Sequence, residues 1–256
     1  MTVNKINFNS DLAERDLSFY QSVDLPLISH INSANIGCLY HGGTEEVVQK
    51  ATQECCRRGV SIGAHISFLD KENFGRTPME WNEDLVHSLI KEQFTILSKL
   101  KDSQISITHL KPHGALNNMA CKDPQLAQVI VSYIKQHYPN LIILAPVLSE
   151  LAKASTAAGM LTALEVFADR TYEDDGTLTP RTIEGSLITD PMQARAHVQQ
   201  MIAEEAIVSR SGKKLSTPFH SICLHSDTPN SVEISQQICI LLHSMGIQQQ
   251  PLPELF

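Results

Sequence analysis

Ile105-Ser106-Ile107-Thr108-His109-Leu110-Lys111-Pro112-His113 is a β-branched and aliphatic run that ends in a cation and an imidazole. The run has the length and composition of a strand, and its ionisable groups stand at the carboxyl end. Similar runs recur at residues 5–9, 30–36, 60–65, 141–145, 161–167 and 219–225. Helical periodicity separates them at 43–58, 81–101, 123–138, 148–158, 191–204 and 229–245. In the longest, Trp81, Leu85, Leu89, Phe94, Leu97 and Leu100 mark one stripe. Asp123-Pro124, Asp190-Pro191 and Thr228-Pro229 each set a capping side chain before a proline suited to a first helical position. Gly59, Gly159 and Gly246 follow helical runs, where a left-handed residue closes a helix.

Strands alternating with helices predict a parallel sheet. Six of the seven runs end in polar groups: Asn9, Asp11 and Glu14; Asn35 and His41; His65, with Asp70 and Arg76 in its loop; Lys111 and His113; Glu165, Asp169 and Arg170; His225 and Asp227. The fifth, ending Ala145-Pro146, adds none. An open sheet would bring together only the groups at its switch point, whereas a barrel gathers all of them on one face. The expectation is therefore a distorted seven-stranded, TIM-barrel-like α/β barrel, one domain over 1–256, with 169–186 as a lid or rim loop and 66–80 as a shorter one. His87, His137 and His243, inside helical patterns, read as surface or boundary residues; His30 and His109 stay open.

Composition excludes several classes. A formal charge of -8 disfavours a nucleic-acid partner. No run of apolar residues is long enough to span a membrane, and residues 1–16 hold no signal-peptide core. The scattered cysteines 38, 55, 56, 121, 223 and 239 read as reduced thiols, and the expected location is the cytoplasm. No nucleophile elbow, P-loop or dinucleotide fingerprint is present. The strand-end set offers imidazoles and carboxylates for proton transfer, and cations for a carboxylate, phosphate or oxyanion. Asp11, His41 and His65 also read as a possible three-ligand divalent-metal site with an open position.

The segments Asn7–Glu14, Asn35–Gly43, Ile62–His65 with Phe74-Gly75-Arg76, Lys111–Leu116, Glu165–Arg170 with Tyr172, Asp175-Gly176 and Pro180-Arg181, and Cys223–Pro229 resemble the signatures of the LamB/YcsF family over about 6–247. Members of that family form the A subunit of the prokaryotic ATP-dependent 5-oxoprolinase. The resemblance implies a barrel related to carbohydrate deacetylases. It implies opening of the 5-oxoproline lactam to glutamate, with ATP as co-substrate and separate B and C subunits as partners. On that basis Asp11, His41 and His65 are expected to activate water, directly or through a metal, and His113 and Asp227 to shuttle or orient protons. Lys111, Arg170 and Arg181, with Asn9, Asn35 and Arg76, are expected to bind carboxylate or phosphate oxygens; Glu165 and Asp169 would orient those cations or His225. Ala13, Leu39, Ser67 and Ser226 stand where the family usually has glycine, Ile66 replaces a usual proline, Asn117 a usual tyrosine and Thr77 a usual second arginine. Two other readings of the same residues are a metal-dependent deacetylase or amidase for carbohydrate-type substrates and a small-molecule-binding subunit without catalysis.

Overall fold

The computed structural model describes residues 4–256. Strands β1 Lys5–Leu12, β2 Ser33–Gly37, β3 Ser61–Ile66, β4 Ile107–Pro112, β5 Ile142–Pro146 and β6 Thr162–Phe167 follow in chain order; β7 Ala206–Val208 and β8 Lys214–Ser216 form an antiparallel hairpin; β9 Ser221–His225 and β10 Gln248–Gln249 complete the set. β1 pairs in parallel with β2 on one side and β9 on the other, so β1 to β6 and β9 close into a seven-stranded parallel barrel. β10 adds a short parallel edge to the amino end of β1. The barrel and its seven expected strands are thus observed; the hairpin and β10 are additional.

The helices are α1 Leu17–Phe19, α2 Leu25–Ile28, α3 Glu45–Arg58, α4 Glu83–Leu100, α5 Gly114–Ala120, α6 Pro124–His137, α7 Glu150–Ala157, α8 Pro191–Glu204 and α9 Ser231–Ser244. Asp123 and Asp190 cap α6 and α8 through their carboxylates, and Gly59, Gly159 and Gly246 adopt positive φ as expected. The cap at Thr228 is not used. α9 starts after Asn230, and the Thr228 hydroxyl donates to Asp169 instead. On α4 the buried face runs through Val86, Leu89, Ile90, Gln93 and Leu97, which leaves Leu85 exposed. Among the described residues no helix is long and apolar enough to cross a membrane. All six cysteines are free thiols.

Strand alternation sends one set of side chains to the helices and the other into the barrel. Ile6, Phe8 and Leu12 of β1 join the apolar core, whereas Asn7, Asn9 and Asp11 make polar contacts with neighbouring strands. The barrel interior is therefore polar where many such barrels are filled with aliphatic layers. Asn7 donates to Ser33 Oγ, which pairs with Ser61 Oγ. One layer up, Asn9 donates to Glu165 and Ser221, and Asn35 donates to Asn9 Oδ1 and Asp11 Oδ1. His109 enters this layer, its Nε2 2.9 Å from Asn35 Oδ1. Gly63 on the neighbouring strand makes room for it: a Cβ there would lie 2.2 Å from the imidazole. These groups are buried and hydrogen-bonded to one another, which ties register to the polar pattern.

Candidate active site

At the carboxyl end of the ladder, Asp11 meets Lys111. Lys111 Nζ lies 2.9 Å from Asp11 Oδ1, 3.1 Å from Glu165 Oε2 and 3.1 Å from Cys223 Sγ. Burial alone would raise Asp11, but His65 and Lys111 hold its pKa well below the usual carboxylate range. Burial would likewise lower Lys111, and the Asp11 charge, with Cys223 and Glu165, raises it. The pair is ionised, and its charges are fixed in the barrel rather than screened by water.

Beside Asp11 the chain turns through Ala13, in the left-handed region at φ 61°, and brings Glu14 back under the barrel rim. Leu39, at φ 67°, makes a comparable turn ahead of His41. The two loops interlock: a Cβ on Gly43 would lie 2.1 Å from the Ala13 carbonyl oxygen. Glu14 Oε1 is 2.7 Å from His41 Nε2, 3.2 Å from His113 Nδ1 and 3.5 Å from His65 Nε2. His113 Nδ1 is 2.9 Å from His65 Nε2, and His41 stacks on His113 at 3.9 Å between ring centroids. Burial is the largest cause of the shifts here: it pushes Glu14 up to about 7, against the pull of His65, and His41 down to about 3.

On the opposite side, His225 Nδ1 is 3.0 Å from Asp169 Oδ2, and Thr228 donates to the same oxygen. Asp169 is buried, yet His225 and Thr228 keep its pKa below the usual value. His225 stacks on Phe167 and leaves Nε2 3.9 Å from Asp11 Oδ2. Three arginines converge on Asp227: Arg76 at 2.6 Å, Arg181 at 3.4 Å and Arg15 at 3.9 Å. Burial would raise Asp227, but Arg181, His225 and Arg76 draw it down to about 2. Arg170 is buried and spends donors on the carbonyls of Thr179 and Ser186, which pins the 169–186 loop to the barrel.

A cavity of about 770 Å³ lies against Asp11, His65, Lys111, His113 and His225, with Arg76, Arg170 and Arg181 on its wall. Leu148, after the fifth strand, also lines it, so that strand contributes an apolar wall where its sequence offered no ionisable group. The rim-loop residues 175–182 line the far side, as expected of 169–186.

Of the residues read from the sequence, Asp11, His65, Lys111, His113, Glu165, Asp169 and His225 meet around Asp11, with Asn9 and Asn35 beneath. Arg76, Arg181 and Asp227 form a second group. Asp11, His41 and His65 do not form one ligand set: His41 turns to Glu14 and Ser67, and the groups able to hold a metal are Glu14, His41, His65 and His113, and separately Asp11, Cys223 and His225. Glu14 stands among the strand-end polar groups of the sequence without an assigned role, and Cys223 is the site residue the sequence reading missed. Cys223 and His225 stand two apart on β9, a spacing that puts both on one face of a strand. Of the four positions expected to need glycine, Ala13 and Leu39 have positive φ, and Ser67 and Ser226 do not.

The fold and site define a closed parallel α/β barrel with an acid–base cluster at the carboxyl ends of its strands. The chain belongs to the LamB/YcsF family, whose model matches residues 6–256. It is 37% identical over 98% of its length to the A subunit of 5-oxoprolinase from Azoarcus sp. (strain BH72), also covering 98% of that protein. It is 38% identical to the protein of the same name from Clostridium beijerinckii, over 98% of this chain and 99% of that one. The crystal structure of a lactam utilization protein from Thermus thermophilus superposes with a TM-score of 0.87 at 30% identity, covering 96% of this chain and 99% of that chain.

Proposed function

We propose that this chain is the A subunit of an ATP-dependent 5-oxoprolinase, opening the five-membered lactam of 5-oxoproline to glutamate together with B and C partner subunits. The observation that carries the reading is a cavity lined by Asp11, His65, His113 and His225 together with Lys111, Arg76, Arg170 and Arg181, in a chain of this family. A lactam is a stable amide. Phosphorylation of its carbonyl oxygen by ATP makes the carbon electrophilic; water adds, the ring C–N bond breaks as the nitrogen takes a proton, and a second water hydrolyses the resulting acyl phosphate to glutamate and inorganic phosphate.

In this reading Asp11 and His65 handle the attacking water. His225 carries the proton to the departing ring nitrogen, because Asp169 takes its Nδ1–H and leaves Nε2 toward Asp11. His113 and His41 hold the water-activating group in place. Lys111, with Glu165 behind it, faces the developing oxyanion or phosphate. Arg76 and Arg181 take the substrate carboxylate by exchanging it against Asp227, which makes Asp227 a holder of arginines rather than a proton shuttle. Arg170 acts through the loop it anchors.

The test is reconstitution of the full chain with its B and C partners, 5-oxoproline and ATP. Glutamate and phosphate should form in equal amounts and only with ATP present. The histidine–glutamate cluster favours one second reading, a metal-dependent amidase that needs no ATP; amide cleavage with ATP omitted would select it.

A further inference from the structure

Each imidazole of the Glu14 cluster has its outward nitrogen committed. His65 Nδ1 lies 3.1 Å from the Lys111 carbonyl oxygen, and His113 Nε2 lies 2.9 Å from the Phe74 carbonyl oxygen. A carbonyl only accepts, so both of those nitrogens carry hydrogen. His41 Nδ1 lies 2.7 Å from Ser67 Oγ, and that hydroxyl donates to the Phe68 carbonyl at 2.9 Å, so His41 Nδ1 is the donor to it. With those protons so placed, the neutral form of each ring carries a bare lone pair on its inward nitrogen.

Those three lone pairs point at one another and at a carboxylate oxygen. His65 Nε2 and His113 Nδ1 are 2.9 Å apart, and Glu14 Oε1 stands 2.7 to 3.5 Å from the three nitrogens. Four acceptors with no donor between them repel. Two added protons or one divalent cation would satisfy them, and only the cation engages all four at once. Ligands bound at zinc-like lengths around one ion lie about 3.4 Å apart, close to the spacing seen.

We infer that Glu14, His41, His65 and His113 form a binding site for one divalent transition-metal ion, of zinc or cobalt type. Three imidazoles and one carboxylate suit such an ion better than calcium or magnesium, which prefer all-oxygen sets. The carbonyls of Lys111 and Phe74 and the Ser67 hydroxyl play the part that orients metal-bound histidines elsewhere. His65 and His113 also line the cavity, so the ion reaches it as a Lewis acid for a water or a carbonyl oxygen. The inference rests on the lactam reading only for the purpose the ion would serve, not for its existence.

The experiment adds Co²⁺ to the metal-stripped full-length chain and follows visible ligand-field absorption and bound metal by elemental analysis. Binding should saturate at about one equivalent per chain. His113→Ala and Glu14→Gln should lose the spectrum. Ser67→Ala, which keeps all four ligands, should bind roughly 10- to 100-fold more weakly with an unchanged circular dichroism spectrum. His225→Ala, in the neighbouring Asp11–Cys223–His225 group, should bind as the parent does. Failure of the parent chain to bind cobalt or zinc stoichiometrically overturns the site, and so does loss of binding in His225→Ala with retention in His113→Ala. Stoichiometric metal with no ring opening in the reconstituted complex removes the lactam reading and leaves the site standing. Ring opening at full rate by the metal-free chain keeps the lactam reading and overturns the Lewis-acid role of the ion in it.

Discussion

Asp11 and Lys111 form a buried ion pair, with Nζ 2.9 Å from Oδ1, at the top of a polar ladder that fills the barrel. Removing one partner strands the other charge away from water. Lys111→Met should destabilise the chain by about 3–5 kcal/mol, and Asp11→Asn with Lys111→Met should recover much of that loss. Urea unfolding of the single and double variants checks this; equal stability of Lys111→Met and the parent would contradict it.

The Asp169–His225 pair predicts a kinetic effect. Asn at position 169 offers an amide to Nδ1 and favours the tautomer with hydrogen on Nε2. Asp169→Asn should lower kcat by about 10²- to 10⁴-fold with little change in KM. A large KM change at unaltered kcat would instead mark Asp169 as a substrate-binding group.

Ala13 holds a left-handed conformation that glycine adopts freely, at a cost of about 1 kcal/mol for an L side chain. Ala13→Gly should raise stability by about that amount, read as a shift in the urea midpoint with an unchanged slope. Leu39→Gly should gain less. Its side chain packs against the core, and giving up that packing offsets the strain relieved.

Asp24 is buried and accepts the Ala13 N–H, and burial pushes its pKa to about 7. An unfolded Asp titrates near pH 4, so the fold binds this proton more tightly than the unfolded chain does. Its contribution is whole below about pH 4 and is lost as pH rises through 7, about 4 kcal/mol for this shift. Asp24→Asn removes this dependence. Its Tm should gain on the parent between pH 5 and pH 8, and parallel Tm profiles would show that Asp24 is not protonated in the fold.

Much of this was legible in the chain. Polar groups at the ends of six strands required closure, and the barrel closes through β1 pairing with both β2 and β9. Asp123 and Asp190 marked helix starts because their carboxylates cap locally. What escaped depends on contacts remote in sequence. Thr228 resembles Asp123 as a cap, but its hydroxyl is taken by Asp169, 59 residues away. Glu14 is an ordinary strand-end carboxylate until a left-handed Ala13, a conformation alanine does not advertise, folds it onto His41. α5 begins at a positive-φ Gly114 with no side-chain cap, so nothing local announces it.

The most direct measurement compares glutamate formation from 5-oxoproline and ATP by the parent chain and by His65→Ala, each reconstituted with the B and C partners. His65 touches Asp11, Glu14 and His113 and lines the cavity. The parent should turn over, and His65→Ala should be slower by about 10²-fold or more while remaining folded. Equal rates for the two would contradict the assignment of ring opening to this cluster.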